Sequence, residues 1–249
     1  MAKSAIITGG TKGIGRSLTA EFAAAGYKVV VGARNDDDDV AALSPGDIRF
    51  VQCDVRNEAD HQKLVEVASG WTGSVDVYVN NAGFSEWRPV AGIDDEFFDD
   101  MMAVNLKGAF FGCKAAAAAM TSGGVIINIS SLAGKRGTPN NSMYVATKFG
   151  MNGMTQALSK ELGPQNIRVH ALCPVLVATP GLIEALQSET SPAQGDPESF
   201  LASFTKANTA LGRLPTGEEV AAIAVFLASD AASAVTGQCI NVDCGVLPQ

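Results

Sequence analysis

The chain has 249 residues, 47% of them apolar and 18% charged, which excludes a disordered protein and fits one large α/β domain with a substantial core. A net charge of -8 argues against a general nucleic-acid binder and gives no basic footprint for an anionic membrane. Five scattered cysteines (Cys53, Cys113, Cys173, Cys239, Cys244), odd in number and without a CxxC, read as a reduced, cytoplasmic pattern and not a disulfide framework.

No signal peptide is expected, because Met1-Ala2-Lys3-Ser4 leads into only a few apolar residues and then glycines. No apolar run is long enough to span a bilayer. Ala5 to Thr8 reads as a first buried strand, Gly9 to Gly15 as a glycine-rich turn, and Arg16 to Ala25 as a helix. Strand, turn and helix in this order are the setting a dinucleotide site requires. Gly9 permits the tight turn, Gly13 lets backbone approach a pyrophosphate, and Gly15 lets the helix pack on the strand. The helix N-terminus then offers free N–H groups to the phosphates.

Lys28 to Arg34 is the second strand and its exit. An NAD site commonly places a carboxylate here for the ribose 2′-hydroxyl. This exit instead carries Ala33 and Arg34, with Lys12 in the phosphate loop as a second cation, and favours the 2′-phosphate of NADP. Asp36, Asp37, Asp38 and Asp39 follow at once and read as a solvated loop; folded toward Arg34 they would weaken phosphate binding and favour NAD.

Ile48 to Cys53 is a third strand, followed by Asp54-Val55 and an amphipathic helix from Asn57 to Ser69, on which His61 reads as a surface residue. Val75 to Val79 is a fourth strand running into Asn80-Asn81-Ala82-Gly83 and a loop from Phe84 to Arg88. Asp94 to Met102 and Val104 to Met120 read as helices. Asn105, a poor interior helix residue, fits a cap or a kink. Val125 to Ile129 is a central strand that ends at Ser131, and a long helix follows through Tyr144 and Lys148. Ile167 to Leu172 is a sixth strand closed by Cys173-Pro174, with His170 reading as a core histidine. Leu176 to Asn208 lacks clean periodicity and carries Pro180, Pro192 and Pro197; it sits where a substrate lid would. Glu218 to Leu227 is a helix and Gln238 to Val242 a last strand. Strands alternating with helices predict one doubly wound parallel sheet with helices on both faces.

The chemistry centres on Ser131, Tyr144 and Lys148. Four residues apart, Tyr144 and Lys148 share a helix face. A nearby ammonium favours the phenolate and lowers the tyrosine pKa from about 10. A serine hydroxyl can hold a carbonyl or alcohol oxygen beside it. That is acid–base equipment for interconverting an alcohol and a ketone, and it needs a hydride carrier no side chain supplies.

Taken together, Thr8-Gly9-x-x-x-Gly13-x-Gly15, Asn80-Asn81-Ala82-Gly83, Asn105, Ser131, Tyr144-x-x-x-Lys148 and Cys173-Pro174 resemble the short-chain dehydrogenase/reductase family over essentially the whole length. The resemblance implies a Rossmann fold with seven strands in the order 3-2-1-4-5-6-7. It implies a single domain over 1–249 with a substrate-loop insertion at about 176–209. Tyr144 would be the general acid/base, Lys148 would lower its pKa and hold the nicotinamide ribose, and Asn105 would hold a water on a proton path. Ser131, not Ser130, matches the catalytic serine. Arg34 matches the position that selects NADP in many members. Asp54 would contact adenine, Asn81 and Gly83 the ribose side, and Val177 and Thr179 the nicotinamide carboxamide. Thr11, Ile14, Val55, Ala82 and Pro174 complete the implied cofactor contacts, and no metal is implied. The family also implies a homotetramer, or a homodimer, built on the two long helices around Asn105 and Tyr144.

Three residues depart from the family pattern. Val175 and Cys244 stand where glycines are usual, and His170 where an Asn is common. Phe84, Trp87 and Met143 suggest an apolar substrate wall, Lys135 and Arg136 read as solvated cations, and Asn140 and Asn141 either bond hydroxyls or shape the turn. The expected activity is NADP-dependent interconversion of a ketone or aldehyde and an alcohol, with Ser131, Phe84, Trp87, Asn141 and Tyr144 touching a small-molecule substrate. Two alternatives remain: an NAD-dependent alcohol, polyol or sugar dehydrogenase, and a non-catalytic dinucleotide-sensing interaction protein.

Overall fold

The computed structural model describes residues 2–36 and 39–248. Asp37 and Asp38 of the aspartate run lie outside the described residues. Seven short strands, rich in Val and Ile, form the sheet: β1 (Ser4–Thr8), β2 (Lys28–Ala33), β3 (Ile48–Gln52), β4 (Val77–Asn80), β5 (Gly124–Ile129), β6 (Ile167–Pro174) and β7 (Cys239–Val242). All pair in parallel, in the order β3-β2-β1-β4-β5-β6-β7. The order reverses between β1 and β4, so their carboxyl ends frame the crevice where such sheets hold ligands.

Successive strand residues serve opposite faces. Ile7, Val29, Val31, Val79 and Ile127 pack with Leu18 and Phe22 of α1 (Gly13–Ala24) and with Val220 and Leu227 of α8 (Gly217–Ala228). Ile6, Val30, Tyr78, Ile126 and Val169 pack with Leu64 of α2 (Glu58–Thr72), Cys113 of α4 (Gly108–Ala119) and Leu162 of α5 (Ser142–Leu162). Both faces are therefore covered, and the strands need no polar side.

His61 is not a surface residue. It is fully buried on α2, on the same stripe as Leu64, Ala68 and Thr72. Nε2 faces the Val55 carbonyl at 2.9 Å and Nδ1 the Tyr78 hydroxyl at 2.8 Å. A carbonyl only accepts, so Nε2 carries the proton and Nδ1 accepts from tyrosine. Burial holds the His61 pKa below its usual value. His170 does lie in the core, but it is only half satisfied: Nε2 meets Arg168 Nη1 at 3.3 Å and Nδ1 is buried without a partner. Burial first, and Arg168 second, push its pKa down to about 4.

Two further expectations change. The helix expected from Val104 to Met120 is interrupted at its start: α3 (Asp95–Met102) runs through a π-helical turn (Ala103–Lys107) into α4, and Asn105 sits in that turn. The stretch from Leu176 to Asn208 is not irregular throughout, since it contains α6 (Pro180–Leu186) and α7 (Pro197–Asn208). No helix among the described residues is long and apolar enough to cross a membrane.

Candidate active site

The glycine loop joins β1 to α1. Gly9 adopts φ +65°, and an added Cβ there would stand 2.9 Å from Ala82 Cα. A Cβ at Gly15 would collide with the Gly9 carbonyl oxygen, so the helix can approach the strand this closely only without a side chain. Asn81 fixes the loop from the other side: Nδ2 donates to the Thr8 and Gly9 carbonyls, both at 3.0 Å. Thr8 Oγ1 in turn accepts from the N–H groups of Asn81 and Ala82 at 3.1 and 3.2 Å. Helix α1 carries no acidic residue in its first turn, and its N-cap, Lys12, makes no side-chain capping bond. The loop, the α1 N-terminus and its positive dipole end fit a pyrophosphate. Thr11 is buried and Ile14 packs against the core beside them.

The far end of this crevice is charged. Arg34 is exposed at the exit of β2, and its carbonyl accepts from Gln52 Nε2 at 3.3 Å. The Asp54 carboxyl lies below its usual range, first through hydrogen bonds from Arg56 and lastly through the charge of Arg34. Sequence reasoning missed Arg56: its guanidinium clasps Asp54 at 2.7–3.0 Å and reaches Asp100 at 3.3 Å. The Asp-x-Arg spacing was the available signal. Asp36 makes no ion pair with Arg34; its Oδ1 accepts the Val40 N–H at 2.8 Å and shapes the following turn. Val55 is buried, with its carbonyl held by His61.

On the opposite side, Pro174 ends β6 and Val177 is buried in the core face under α1 and α8. Thr179 caps α6, accepting the Leu182 N–H at 3.2 Å. Its methyl lies so near Gly13 that an added Cβ there would meet it at 3.3 Å. The segment 176–209 therefore starts against the glycine loop. Val175, where the family pattern has glycine, donates its N–H to the Val242 carbonyl at 3.2 Å and packs with Leu132, Phe204 and Leu247.

Between these two ends lie Ser131, Tyr144 and Lys148. The Ser131 hydroxyl acts on Tyr144, lowering its pKa, and accepts the Ala133 N–H at 3.0 Å. Lys148 is 4% exposed; its Nζ donates to the Ile129 carbonyl at 2.8 Å and stands 5.5 Å from the Tyr144 ring centre. Burial pushes the Lys148 ammonium down to about 8. The expected lowering of the tyrosine pKa by Lys148 does not dominate in this structure. Burial raises the Tyr144 pKa above 10, against a smaller lowering by Ser131. The Lys148 Nζ stands 5.5 Å from the ring centre and is engaged by the Ile129 carbonyl.

Asn105 is fully buried and acts on the loop after Gly83. Its Oδ1 accepts the Phe84 N–H at 3.0 Å, and its Nδ2 donates to the Phe84 carbonyl at 2.8 Å. Nδ2 also reaches Thr147 Oγ1 at 3.5 Å, one residue before Lys148. Asn105 thus ties the π turn, the Phe84 loop and α5 together.

The candidate substrate residues divide. Phe84 is 37% exposed at the mouth. Trp87 is not an open wall but is buried with Leu186 and Ala193 under the lid, because Leu182, Phe200 and Leu201 also need apolar cover. Its carbonyl accepts the Thr190 hydroxyl. Asn140 holds a left-handed φ of +57°, donates from Nδ2 to the Thr190 carbonyl at 3.0 Å and accepts the Arg88 N–H at 2.6 Å. Lys135 is not a solvated cation, since its Nζ donates to the Cys239 carbonyl at 2.6 Å. Asn141 is 5% exposed, and its Oδ1 is buried without a hydrogen-bond partner.

A doubly wound sheet with a phosphate-binding turn at its switch point and a Ser–Tyr–Lys set beside it defines a class, the nicotinamide-dependent oxidoreductases. Comparison with known proteins narrows the class. Residues 9–247 match a family model described as enoyl-(acyl carrier protein) reductase. L-2,3-butanediol dehydrogenase of Corynebacterium glutamicum is 35% identical, over 99% of each chain. The 3-oxoacyl-[acyl-carrier-protein] reductase of Thermotoga maritima is 35% identical, over 98% of each chain. The crystal structure of a single-residue variant of actinorhodin polyketide ketoreductase with NADPH superposes with a TM-score of 0.90 at 31% identity, covering 98% of this chain and 97% of that one. The chain belongs to the short-chain dehydrogenase/reductase family and is an oxidoreductase.

Proposed function

We propose that the protein is an NADP-dependent carbonyl reductase, interconverting a ketone or aldehyde and an alcohol. The observation that carries the reading is the Ser131 hydroxyl acting on Tyr144 beside buried Lys148, within the crevice that begins at the glycine loop. Ser131 would hold the substrate oxygen and Tyr144 give or take its proton, while Lys148 orients the cofactor ribose. Asn105 would keep the Phe84 loop in place and hold a water that leads protons to Lys148. A nicotinamide supplies the hydride when bound. Gly9, Gly13 and Gly15 with the α1 N-terminus would hold the pyrophosphate, Asn81, Ala82 and Gly83 the ribose side, Asp54 and Val55 the adenine, and Pro174, Val177 and Thr179 the carboxamide. Exposed Arg34, with Lys12, would bind the 2′-phosphate, while the Oδ1 of Asp36 is engaged by the Val40 N–H. The NADPH in the actinorhodin ketoreductase structure supports the same choice.

The molecule would be one domain carrying both the cofactor site and a substrate lid. A second copy would cover the groove between α4 and α5, lined by Met102, Leu106, Phe110 and Met154, where Phe110 and Phe149 stand nearly half exposed. Dimers or tetramers would form on it. All five cysteines are free thiols, which suits a reducing, cytoplasmic setting. The test is fluorescence titration with NADPH and NADH in parallel, followed by a panel of ketones and aldehydes with each cofactor. Tighter NADPH binding and NADPH consumption with a ketone are expected. Tighter NADH binding would overturn the cofactor assignment, and binding of neither would overturn the reductase reading.

A further inference from the structure

We propose that His61 is a positioning residue for the adenosine half of the cofactor: it ties the Val55 carbonyl to Tyr78 and so fixes the segment 54–56. The inference rests on the reading of Asp54 and Val55 as the adenine contacts.

The chemistry at Tyr144 makes no use of His61, yet both ring nitrogens are engaged and the residue is fully buried. The Val55 carbonyl can only accept, so Nε2 donates to it at 2.9 Å, and Nδ1 accepts from the Tyr78 hydroxyl at 2.8 Å. Burial lowers the imidazole pKa and raises that of the Tyr78 hydroxyl, which keeps both protons where this arrangement needs them. Solvent cannot stand in for the imidazole. Tyr78 is also fully buried, and two glycines one turn apart bring α4 against the pair from the far side. An added Cβ at Gly108 would stand 3.0 Å from the Val55 carbonyl oxygen, and one at Gly112 would stand 2.9 Å from the Tyr78 ring.

The segment 54–56 is held by polar bonds on three sides. Asp60, in the first turns of α2, accepts the Asp54 N–H at 3.0 Å, and His61, the next residue, takes the Val55 carbonyl. Arg56 clasps the Asp54 carboxylate at the exposed surface. The His61 bond is the buried one. Leaving a buried acceptor unpaired costs more than loosening a surface ion pair, so His61 has the strongest hold on the backbone here. Tyr78 gives that hold its reference, because it lies on β4, the strand that runs into Asn81 on the ribose side. The His61–Tyr78 pair thus sets the distance between the adenine segment and the ribose side. Ser131, Tyr144 and Lys148 stand on other elements, so a shift of 54–56 is felt by the adenosine half and not by the proton transfer.

The experiment is calorimetric titration with adenosine 2′,5′-bisphosphate, the far half of the cofactor, in the wild type, His61→Gln, His61→Asn, His61→Leu, Tyr78→Phe and Asp54→Ala. A Gln amide reaches as far as Nε2 and can still donate to Val55; an Asn amide reaches only as far as Nδ1. His61→Gln should stay within about threefold of the wild-type dissociation constant, while His61→Asn and His61→Leu should weaken it by about tenfold or more. In steady-state ketone reduction, KM for NADPH should rise in step while kcat stays within about twofold, a split that general loss of structure would not give. Thermal melting reports which variants are folded. If His61→Asn and His61→Leu are not, Tyr78→Phe decides, with an expected weakening of about two- to fivefold. Wild-type affinity in the folded variants, or equal losses in His61→Gln and His61→Asn, would overturn the proposal. Loss in Asp54→Ala with none at His61 would overturn it and leave the adenine reading standing. A wild type that binds neither NADPH nor the bisphosphate would overturn both.

Discussion

Lys148 and Tyr144 titrate in opposite directions from their ordinary values, and the same burial causes both. It brings the lysine down to about 8 and takes the tyrosine up. For reduction the tyrosine must hold its proton, which a raised pKa ensures throughout the neutral range. The lysine must stay charged, and that charge is lost as pH rises through about 8. The rate of carbonyl reduction at saturating NADPH should therefore be flat below pH ~7 and fall by up to tenfold per unit above ~8. A pH profile of kcat in the reducing direction checks this; a rate that rises through pH 8 would contradict it. The Tyr144 and Lys148 pairing was legible in the sequence because a spacing of four survives into any helix. The role of His61 was not, although Leu64, Ala68 and Thr72 three, seven and eleven residues on mark a buried stripe. A polar residue on such a stripe looks like surface until its partner is known, and that partner, Tyr78, comes from a different element. Asn105 fits a cap or a kink by its residue type and sits in the π-helical turn, but the Phe84 loop it grips could not be read from its neighbours.

Among the elements, the strands were read best, since short runs buried on both faces are apolar without interruption. The lid was read worst. The stretch shows no clean periodicity, yet Pro180 and Pro197 each open a helix at a position where a missing N–H costs nothing. Thr179 and Asp196 ahead of them accept the Leu182 and Ser199 N–H groups, the capping bonds that mark helix starts. The two substituted glycine positions also meet here. Cys244 takes a left-handed φ of +53°, and the segment after it folds back so that Val246 and Leu247 pack with Val175, Leu132 and Phe204 of α7. Asp243 ties that segment down through the Gly245 and Leu247 N–H groups at 2.9 and 2.8 Å. Leu132 adjoins Ser131, so this cluster sets α7 against the Ser131 loop. Leu247→Ala should raise KM for a ketone by about 3–10-fold while the NADPH dissociation constant stays within about twofold. Steady-state kinetics beside a fluorescence titration checks it, and an unchanged KM would remove the cluster from substrate positioning.

At the scale of the whole molecule, the sheet order places the glycine loop, Asn81 and Ser131 at one edge because β1, β4 and β5 are neighbours and run parallel. Composition argued against a general nucleic-acid binder and gave no basic footprint for an anionic membrane but said nothing of assembly, since Phe110 and Phe149 lie far apart in sequence and meet on one surface only after α4 and α5 pack. Charging that surface with Phe110→Glu and Phe149→Glu should convert a dimer or tetramer into a smaller species. Light scattering coupled to size exclusion at one protein concentration would show it. A wild type that is monomeric at that concentration would contradict the assigned face.

The central claim is that Tyr144 exchanges the proton of the reacting oxygen while the rest of the site holds the cofactor. Tyr144→Phe removes one oxygen and little else. Its turnover with NADPH and a reducible ketone should fall by about 10²–10⁴-fold, with the NADPH dissociation constant within about twofold of wild type. Turnover that survives in Tyr144→Phe would contradict the mechanism.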